Sequence, residues 1–417
     1  MHSRRSSHVG IRTAQLVPLL LVDGSMHSGT NAPNPRISVG GCLVPMATIY
    51  HLLDEHEPFS ESNGGAISRW AANTLRDGTE IIVCPSFDGS WKFPADRIYK
   101  MPGWERVASI HPLVYRLPWM LQKAYLLRVF TPLLRRLNPG DLIYVHNRPA
   151  YAAVLATVAE RHKARVVLHM HNSLLLRANR GQIKALREVP IVFVSDFLRK
   201  ETERAIPKRF ERTSIVYNGA DEKRFYPHVR EVKHSFNVIF TGRLVHYKGI
   251  HVLLEAMRIL EKQGVKANCK IVGGSGFGNN KDSRYVRQLK RDAPSNCELV
   301  GYRSGEVFSE LLQNSDVFCC PSIWNDPFPL APLEGMASGL PIVASNVGGL
   351  AEALAYGGGI LIPPSNPRAL AEALGSLAKD EGRCKELGKE AREAVEKHFF
   401  WSNVRAQYLS AVQGLQP

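Results

Sequence analysis

Cysteine is scarce and scattered in this sequence. Cys42, Cys84, Cys269, Cys297, Cys319, Cys320 and Cys384 make an odd number with no CxxC pair. That pattern argues against a disulfide framework and a thiolate zinc site, and favours a reducing compartment. No apolar run approaches the ~20 residues needed to span a bilayer. Short-period repeats are absent, and low complexity is confined to the first 45 residues. Zinc-finger and RNP-type aromatic motifs are missing, so nucleic acid is not expected as a partner. What remains is ordinary globular usage, 44% hydrophobic and 22% charged in 417 residues. That length suits two or three domains at roughly 150 residues each.

Charge is plentiful but lopsided. Of the net +15, about +13 falls in residues 1–230. A basic half draws anions such as phosphorylated substrates or anionic lipid. Within it, residues 120–137 alternate apolar side chains with Lys123, Arg128, Arg135 and Arg136. A helix of that period either lies on an anionic membrane surface or packs on the core with a solvated basic edge. Residues 1–45, rich in Ser, Gly, Pro and His, hold one short apolar run at 16–22, broken by Pro18. They read as a disordered extension rather than a signal peptide, or as a mis-assigned start with translation beginning at Met46.

From residue 46 onward, short apolar runs alternate with helical stretches. The predicted strands are 47–53, 80–84, 142–146, 165–169 and 191–195, then 237–241, 270–273, 297–300, 317–321 and 341–345. These runs lack polar alternation, as expected of parallel strands covered on both faces. Helical patterns such as 251–263 and 369–379 lie between them. The rhythm predicts an α/β chain with two doubly wound, Rossmann-like domains facing across a cleft. The polar stretch 225–235 sets the expected division: 46–230, then 231–395, then a last helix over 396–417. Ligands in such sheets bind beyond the carboxyl ends of the strands.

Several motifs fall at those ends. Gly64-Gly65 opens a helix after the first strand; it is either a turn with an N-cap or a close approach for a phosphate. Gly242-Arg243 and Lys248-Gly249 follow a strand, with the two cations five residues apart. They are either a solvated basic loop or a clamp for the charge that builds on a leaving diphosphate. Gly273-Gly274 repeats the strand-to-glycine punctuation without a Walker lysine. Asp326 and Glu334 lie eight apart across a proline-rich turn. Pro332 suits a first helical turn and so places Glu334 there, with Asp326 in the preceding loop. Paired carboxylates can hold a sugar and a ribose diol, or serve as a turn former and a helix-dipole partner. His146-Asn147-Arg148-Pro149 and His169-Met170-His171-Asn172 each follow a strand. No third ligand sits at a convincing spacing from His169 and His171, so no metal is expected.

Taken together these pieces resemble retaining glycosyltransferases of family 4, which have the GT-B fold. The signs are Gly64-Gly65, His171-Asn172, Tyr217-Asn218-Gly219-Ala220-Asp221, Gly242-Arg243 with Lys248-Gly249, and the Asp326 and Glu334 pair. Gly339 through Ser345 and Asn346, Gly348-Gly349 and Glu352 complete the run. A narrower likeness to spore-coat-type members rests on residues 146–149, 166–172 and 276–286. The resemblance implies a nucleoside diphosphate sugar as co-substrate, no cofactor, and no metal. It assigns Arg243 and Lys248 to the diphosphate, Glu334 to the ribose, Asp326 to the transferred sugar and Gly301-Tyr302 to the base. Backbone at Gly242, Gly273, Gly274, Leu330 and Ala331 would meet phosphates or sugar. Gly64, Gly65 and His171 would line the cleft from the first domain.

The acceptor would be a glycan or glycolipid in surface polysaccharide or coat synthesis. The expected location is cytoplasmic, with peripheral contact at the inner face of the membrane. Two departures stand out. The first carboxylate is Asp326 where the family has Glu, and Pro329 replaces a glycine and has no N–H to donate. They are the main support for a further reading, a silent sugar-nucleotide-binding or coat scaffold; a nucleotide-sugar epimerase of the same fold, which needs no acceptor, is the other reading left open.

Overall fold

The computed structural model describes residues 36–39, 42–45, 47–61, 65–75, 78, 80–104, 107, 113–206, 210–228, 235–276 and 282–414. Two short strands come first, β1 (Arg36–Val39) and β2 (Cys42–Pro45), paired antiparallel. The extension expected over residues 1–45 falls largely outside the described residues: residues 1–35, 40 and 41 lie outside them, as does Met46.

Seven strands then build the first sheet: β3 (Ile49–Leu52), β4 (Glu80–Cys84), β5 (Ile98–Lys100), β6 (Leu142–His146), β7 (Arg165–Met170), β8 (Ile191–Phe193) and β9 (Thr213–Ile215). All pair in parallel, in the order β5-β4-β3-β6-β7-β8-β9. The second sheet holds β10 (Phe236–Thr241), β11 (Ala267–Val272), β12 (Cys297–Gly301), β13 (Val317–Cys320), β14 (Ile342–Ser345) and β15 (Gly359–Ile362). It too is all parallel, in the order β12-β11-β10-β13-β14-β15. Both orders reverse direction beside the strand that starts the sheet, which opens a crevice at the carboxyl ends there. The two doubly wound sheets are of Rossmann-like type, as the rhythm of the sequence predicts.

The core explains the uninterrupted apolar runs. Helices cover both faces of each sheet, so neither face of a central strand meets water. One apolar cluster runs from the first sheet into the second and includes Leu198, Phe225, Phe308, Phe328, Leu333 and Phe399. Tyr217 stacks on Phe328 at 4.9 Å between ring centroids. The last helix, Trp401–Gln413, returns to the first sheet. There Tyr408 is fully buried beside His51 of β3, and the Arg405 guanidinium donates to the Thr74 carbonyl.

Candidate active site

Three glycine turns floor the second sheet. β10, β11 and β12 end at Gly242, Gly273 and Gly301, whose φ values are 144°, 151° and 80°. They ladder onto one another: the Gly242 N–H donates to Val272 O, Gly273 N–H to Gly301 O and Leu244 N–H to Gly274 O. A Cβ at Gly273 would stand 1.8 Å from the Gly242 carbonyl oxygen, so only glycine permits this approach. Tyr302 follows directly, half-buried at the same edge.

After β10 the chain turns through Arg243, whose guanidinium donates to the Tyr247 hydroxyl at 2.7 Å. A short 3-10 turn, His246–Lys248, then delivers Lys248. Gly249 adopts φ 73° against the Pro321 carbonyl and starts the helix Ile250–Lys262. Lys248 forms an ion pair with Asp326. Burial works against the lysine's charge, but the carboxylate outweighs it and holds the pKa above its ordinary value.

Asp326 sits in the loop before the helix Leu330–Ala337, as expected. Glu334, however, is the fifth residue of that helix and not in its first turn. Pro329 takes the position before the helix, and Pro332, third inside it, gives up an N–H that has no partner within the helix anyway. Leu330 and Ala331 thereby become the first two helical residues, with N–H groups unused by the helix. Glu334 is buried, which pushes its carboxyl pKa up; Arg69 and Arg224 pull it partly back. Its Oε1 accepts from Arg69 of the first sheet's helix at 3.0 Å.

The loop carrying Asp326 is pinned from the opposite side. The Ser195 hydroxyl donates to Pro327 O and the Asn218 amide to Phe328 O, both at 2.7 Å. Glu352 accepts from the Asp196 and Phe197 N–H groups and from the Tyr217 hydroxyl. The motif residues Asn218, Tyr217 and Glu352 thus join the two sheets.

On the first sheet, Gly64 lies outside the described residues, and Gly65 leads into the helix Ala66–Thr74. The N-terminus expected to approach a phosphate already carries a carboxylate. Glu57 Oε1 accepts from the Ser68 N–H at 2.7 Å and lies where a Cβ on Gly65 would reach. Burial pushes the Glu57 pKa up to about 7, against the pull of that N–H.

His171 lies at the end of β7. Asn147, held at φ 56°, accepts from the His171 and Asn172 N–H groups and so sets that loop. The expectation of no third histidine fails here. Strand parity aims His51, His146, His169 and His171 at one face, and neighbouring strands bring them together. Tyr408 Oη and His51 Nε2 are 3.0 Å apart, His51 Nδ1 and His146 Nε2 3.1 Å, and His146 Nδ1 and His171 Nε2 3.1 Å. Burial pulls these imidazoles far below the ordinary histidine range, to about 3 for His51 and His171, so each is neutral.

Sequence reasoning missed Arg69, Glu57, His51 and Ser195. Arg69 and Glu334 are 265 positions apart, and only the packed sheets bring them together. A cavity of about 590 Å³ lined by Thr213, Gln407 and Ser410 contains none of these residues. Among the described residues, no helix is long and apolar enough to cross a membrane.

Comparison with known proteins places this geometry. Residues 45–224 match the model of glycosyltransferase family 4, and residues 223–394 that of glycosyl transferases group 1. Spore coat protein SA of Bacillus subtilis is 29% identical over 296 residues, covering 66% of this chain and 78% of that protein. This meets the narrower likeness read from the sequence. The putative colanic acid biosynthesis glycosyltransferase WcaL of Escherichia coli is 29% identical over 213 residues, 49% of this chain and 52% of its own. Among solved structures, sucrose-phosphate synthase from Thermosynechococcus elongatus superposes with a TM-score of 0.66 at 19% identity. It covers 88% of this chain and 99% of its own. Anabaena HepE in complex with UDP and glucose gives 0.65 at 19%, over 87% and 99%. The chain belongs to glycosyltransferase family 4, with the GT-B fold.

Proposed function

We propose that this glycosyltransferase moves a hexose from a nucleoside diphosphate sugar to a hydroxyl of a glycan or glycolipid, with retention at the anomeric carbon. The observation that carries the reading is the ion pair of Lys248 with Asp326 beyond the glycine turn that follows β10, with Arg243 within electrostatic reach of that lysine and Glu334 buried in the helix after the Asp326 loop. Residues 231–395 act as the donor-side domain, 46–230 as the acceptor-side domain, and 396–417 as the helix that ties them. The UDP and glucose bound by HepE, and the colanic acid pathway that names WcaL, support a nucleotide-sugar donor and a polysaccharide product.

Each residue has a role in this reading. Arg243 and Lys248 meet the diphosphate, whose charge grows as the bond to the sugar breaks. Two fixed cations serve there without a metal ion. The first-turn N–H groups of Leu330 and Ala331 add to the same field. Glu334 holds the ribose hydroxyls, Asp326 the sugar, and Gly301-Tyr302 flank the base. Gly242, Gly273 and Gly274 let the backbone close on the phosphates. From the first sheet, Gly65 and His171 line the cleft. Among the described residues no second carboxylate stands as a nucleophile, so the acceptor oxygen attacks on the face the diphosphate leaves. The acceptor's bond to the anomeric carbon forms, the phosphate oxygen's bond breaks, and the proton passes to the departing diphosphate.

The basic helix of the sequence analysis is Trp119–Leu134. Leu113 before it, and Met120 and Leu121 in its first turn, are 66%, 70% and 57% exposed, near Arg116 and Lys123 in the chain. That surface supports peripheral contact with an anionic membrane, where a lipid-linked acceptor would sit.

The test is turnover with chelator present, using a panel of nucleoside diphosphate sugars and glycan acceptors, with the product anomer read by NMR. Retained configuration that depends on acceptor supports the reading. Product from donor alone would make it an epimerase, and tight donor binding without turnover a silent scaffold.

A further inference from the structure

We infer that His146, His169 and His171 form a binding site for one late first-row metal ion of zinc type, on the helix-covered face of the first sheet. Strand parity brings the three rings together. β6 and β7 run side by side with His146 directly opposite His169, and His171 lies two residues further along. Residues two apart in a strand share a face, so all three rings converge. One ring nitrogen from each lies within 4.8 Å of those of the other two.

The closest pair fits a metal best. His146 Nδ1 and His171 Nε2 are 3.1 Å apart. Zinc–imidazole bonds of ~2.0–2.1 Å set the edges of a tetrahedron at roughly 3.3 Å. Two neutral imidazole lone pairs facing each other at this distance repel unless a proton or a cation lies between them. Histidine-only donor sets suit zinc, copper or nickel more than magnesium or calcium.

The surroundings resemble the support that metal-bound histidines receive. A ligating imidazole passes its other N–H to a fixed acceptor. His146 Nε2 lies 3.1 Å from His51 Nδ1, within reach to donate in the tautomer that metal binding at His146 Nδ1 would select, and His51 Nε2 in turn meets the Tyr408 hydroxyl. The main chain of Val216 approaches the His169 ring. Trp70 packs edge-on against His169 and His171 and closes the site on the helix side. His171 Nδ1 is buried without a hydrogen-bond partner among the described residues, a cost that ordinary packing leaves unrelieved. The ring is nonetheless held where its other nitrogen serves the cluster.

This site shares no residue with Arg243, Lys248, Asp326 and Glu334. Its failure would therefore leave the donor-site reading untouched. Three protein nitrogens leave a fourth coordination position, and His171 ties the ion to the loop that lines the cleft.

The test is metal analysis of the full chain prepared without a polyhistidine tag, followed by cobalt(II) titration of the chelator-stripped protein. The expected result is one equivalent of metal per chain and the visible ligand-field bands of tetrahedral cobalt. His169→Ala abolishes stoichiometric binding. His51→Ala, which removes only the support to His146, weakens affinity about 10–100-fold while stoichiometry holds. Should the alanine variants fail to fold, the wild-type measurement decides alone. Folded wild-type protein with no stoichiometric metal and no cobalt bands overturns the site, leaving a hydrogen-bonded imidazole chain. Binding that survives loss of each of the three histidines overturns it equally.

Discussion

Lys248 and Asp326 form an ion pair, yet the account gives them opposite parts in donor binding. Lys248 holds the diphosphate, and the Asp326 carboxylate occupies that same ammonium group. The two side chains are 17% and 12% exposed, so the pair is largely shielded from water and salt. A diphosphate approaching Lys248 must share or displace the carboxylate. Replacing Lys248 by Ala removes a charged donor worth about 1.5–3 kcal/mol, and nucleoside diphosphate binding is expected to weaken about 10–100-fold. Asp326→Asn keeps the shape but removes the competing charge. If the pair contributes about 1–2 kcal/mol in this setting, the same diphosphate binds about 5–30-fold more tightly. Sugar transfer by Asp326→Asn still falls, because the contact to the sugar is lost. Calorimetric titration of the two variants with the diphosphate, and turnover with its sugar, give the four numbers needed. Weakening of diphosphate binding by both substitutions to a similar extent would refute the assignment, since it would mean the pair is structural.

Three further outcomes follow from other contacts. Glu57 has a folded pKa near 7 and an unfolded value near 4.5, so folding takes up protons between these and stability falls as pH rises through that window. Glu57→Gln should therefore match the wild type near pH 4.5 and exceed it by about 2 kcal/mol at pH 8 in denaturant titrations, a figure discounted for the side chain's partial exposure; equal stability at both pH values would refute this. Gly273→Ala places a Cβ 1.8 Å from the Gly242 carbonyl, so it should distort the glycine floor and abolish nucleotide binding even where circular dichroism still reports a folded chain. Glu352→Ala removes the acceptor that two N–H groups and the Tyr217 hydroxyl share between the sheets. A loss of about 2–4 kcal/mol is expected from denaturant midpoints, whereas a change under 0.5 kcal/mol would show that the link contributes nothing.

The sequence made the sheets legible because buried parallel strands are plain apolar runs. The strands 80–84 and 142–146 match β4 and β6 to the residue. Three of the four edge strands of the two large sheets escaped notice. Ile98–Lys100 and Thr213–Ile215 are three residues each, and β15 is a glycine followed by only three apolar residues, so none makes a run long enough to announce itself. Pro332 fits a first helical position as well as a third, so the pattern sets Glu334 two positions too near the helix start. Local rules fixed the glycine turns and the loop position of Asp326. They were silent on Arg69 meeting Glu334, and on His51 meeting His146 across 95 positions. Parity along a strand says which histidines share a face; only the strand order β3-β6-β7 says that they touch.

The most direct test of the central claim is a thermal-shift comparison of UDP, GDP, ADP and TDP without added metal, on the wild type and on Glu334→Ala. A ligand at ~100 times its Kd stabilises the folded chain by about 2.7 kcal/mol. The account predicts that one base stabilises the wild type and that Glu334→Ala loses most of that shift while remaining folded. No shift with any of the four, or a shift that Glu334→Ala leaves unchanged, would contradict a donor site at the carboxyl edge of the second sheet.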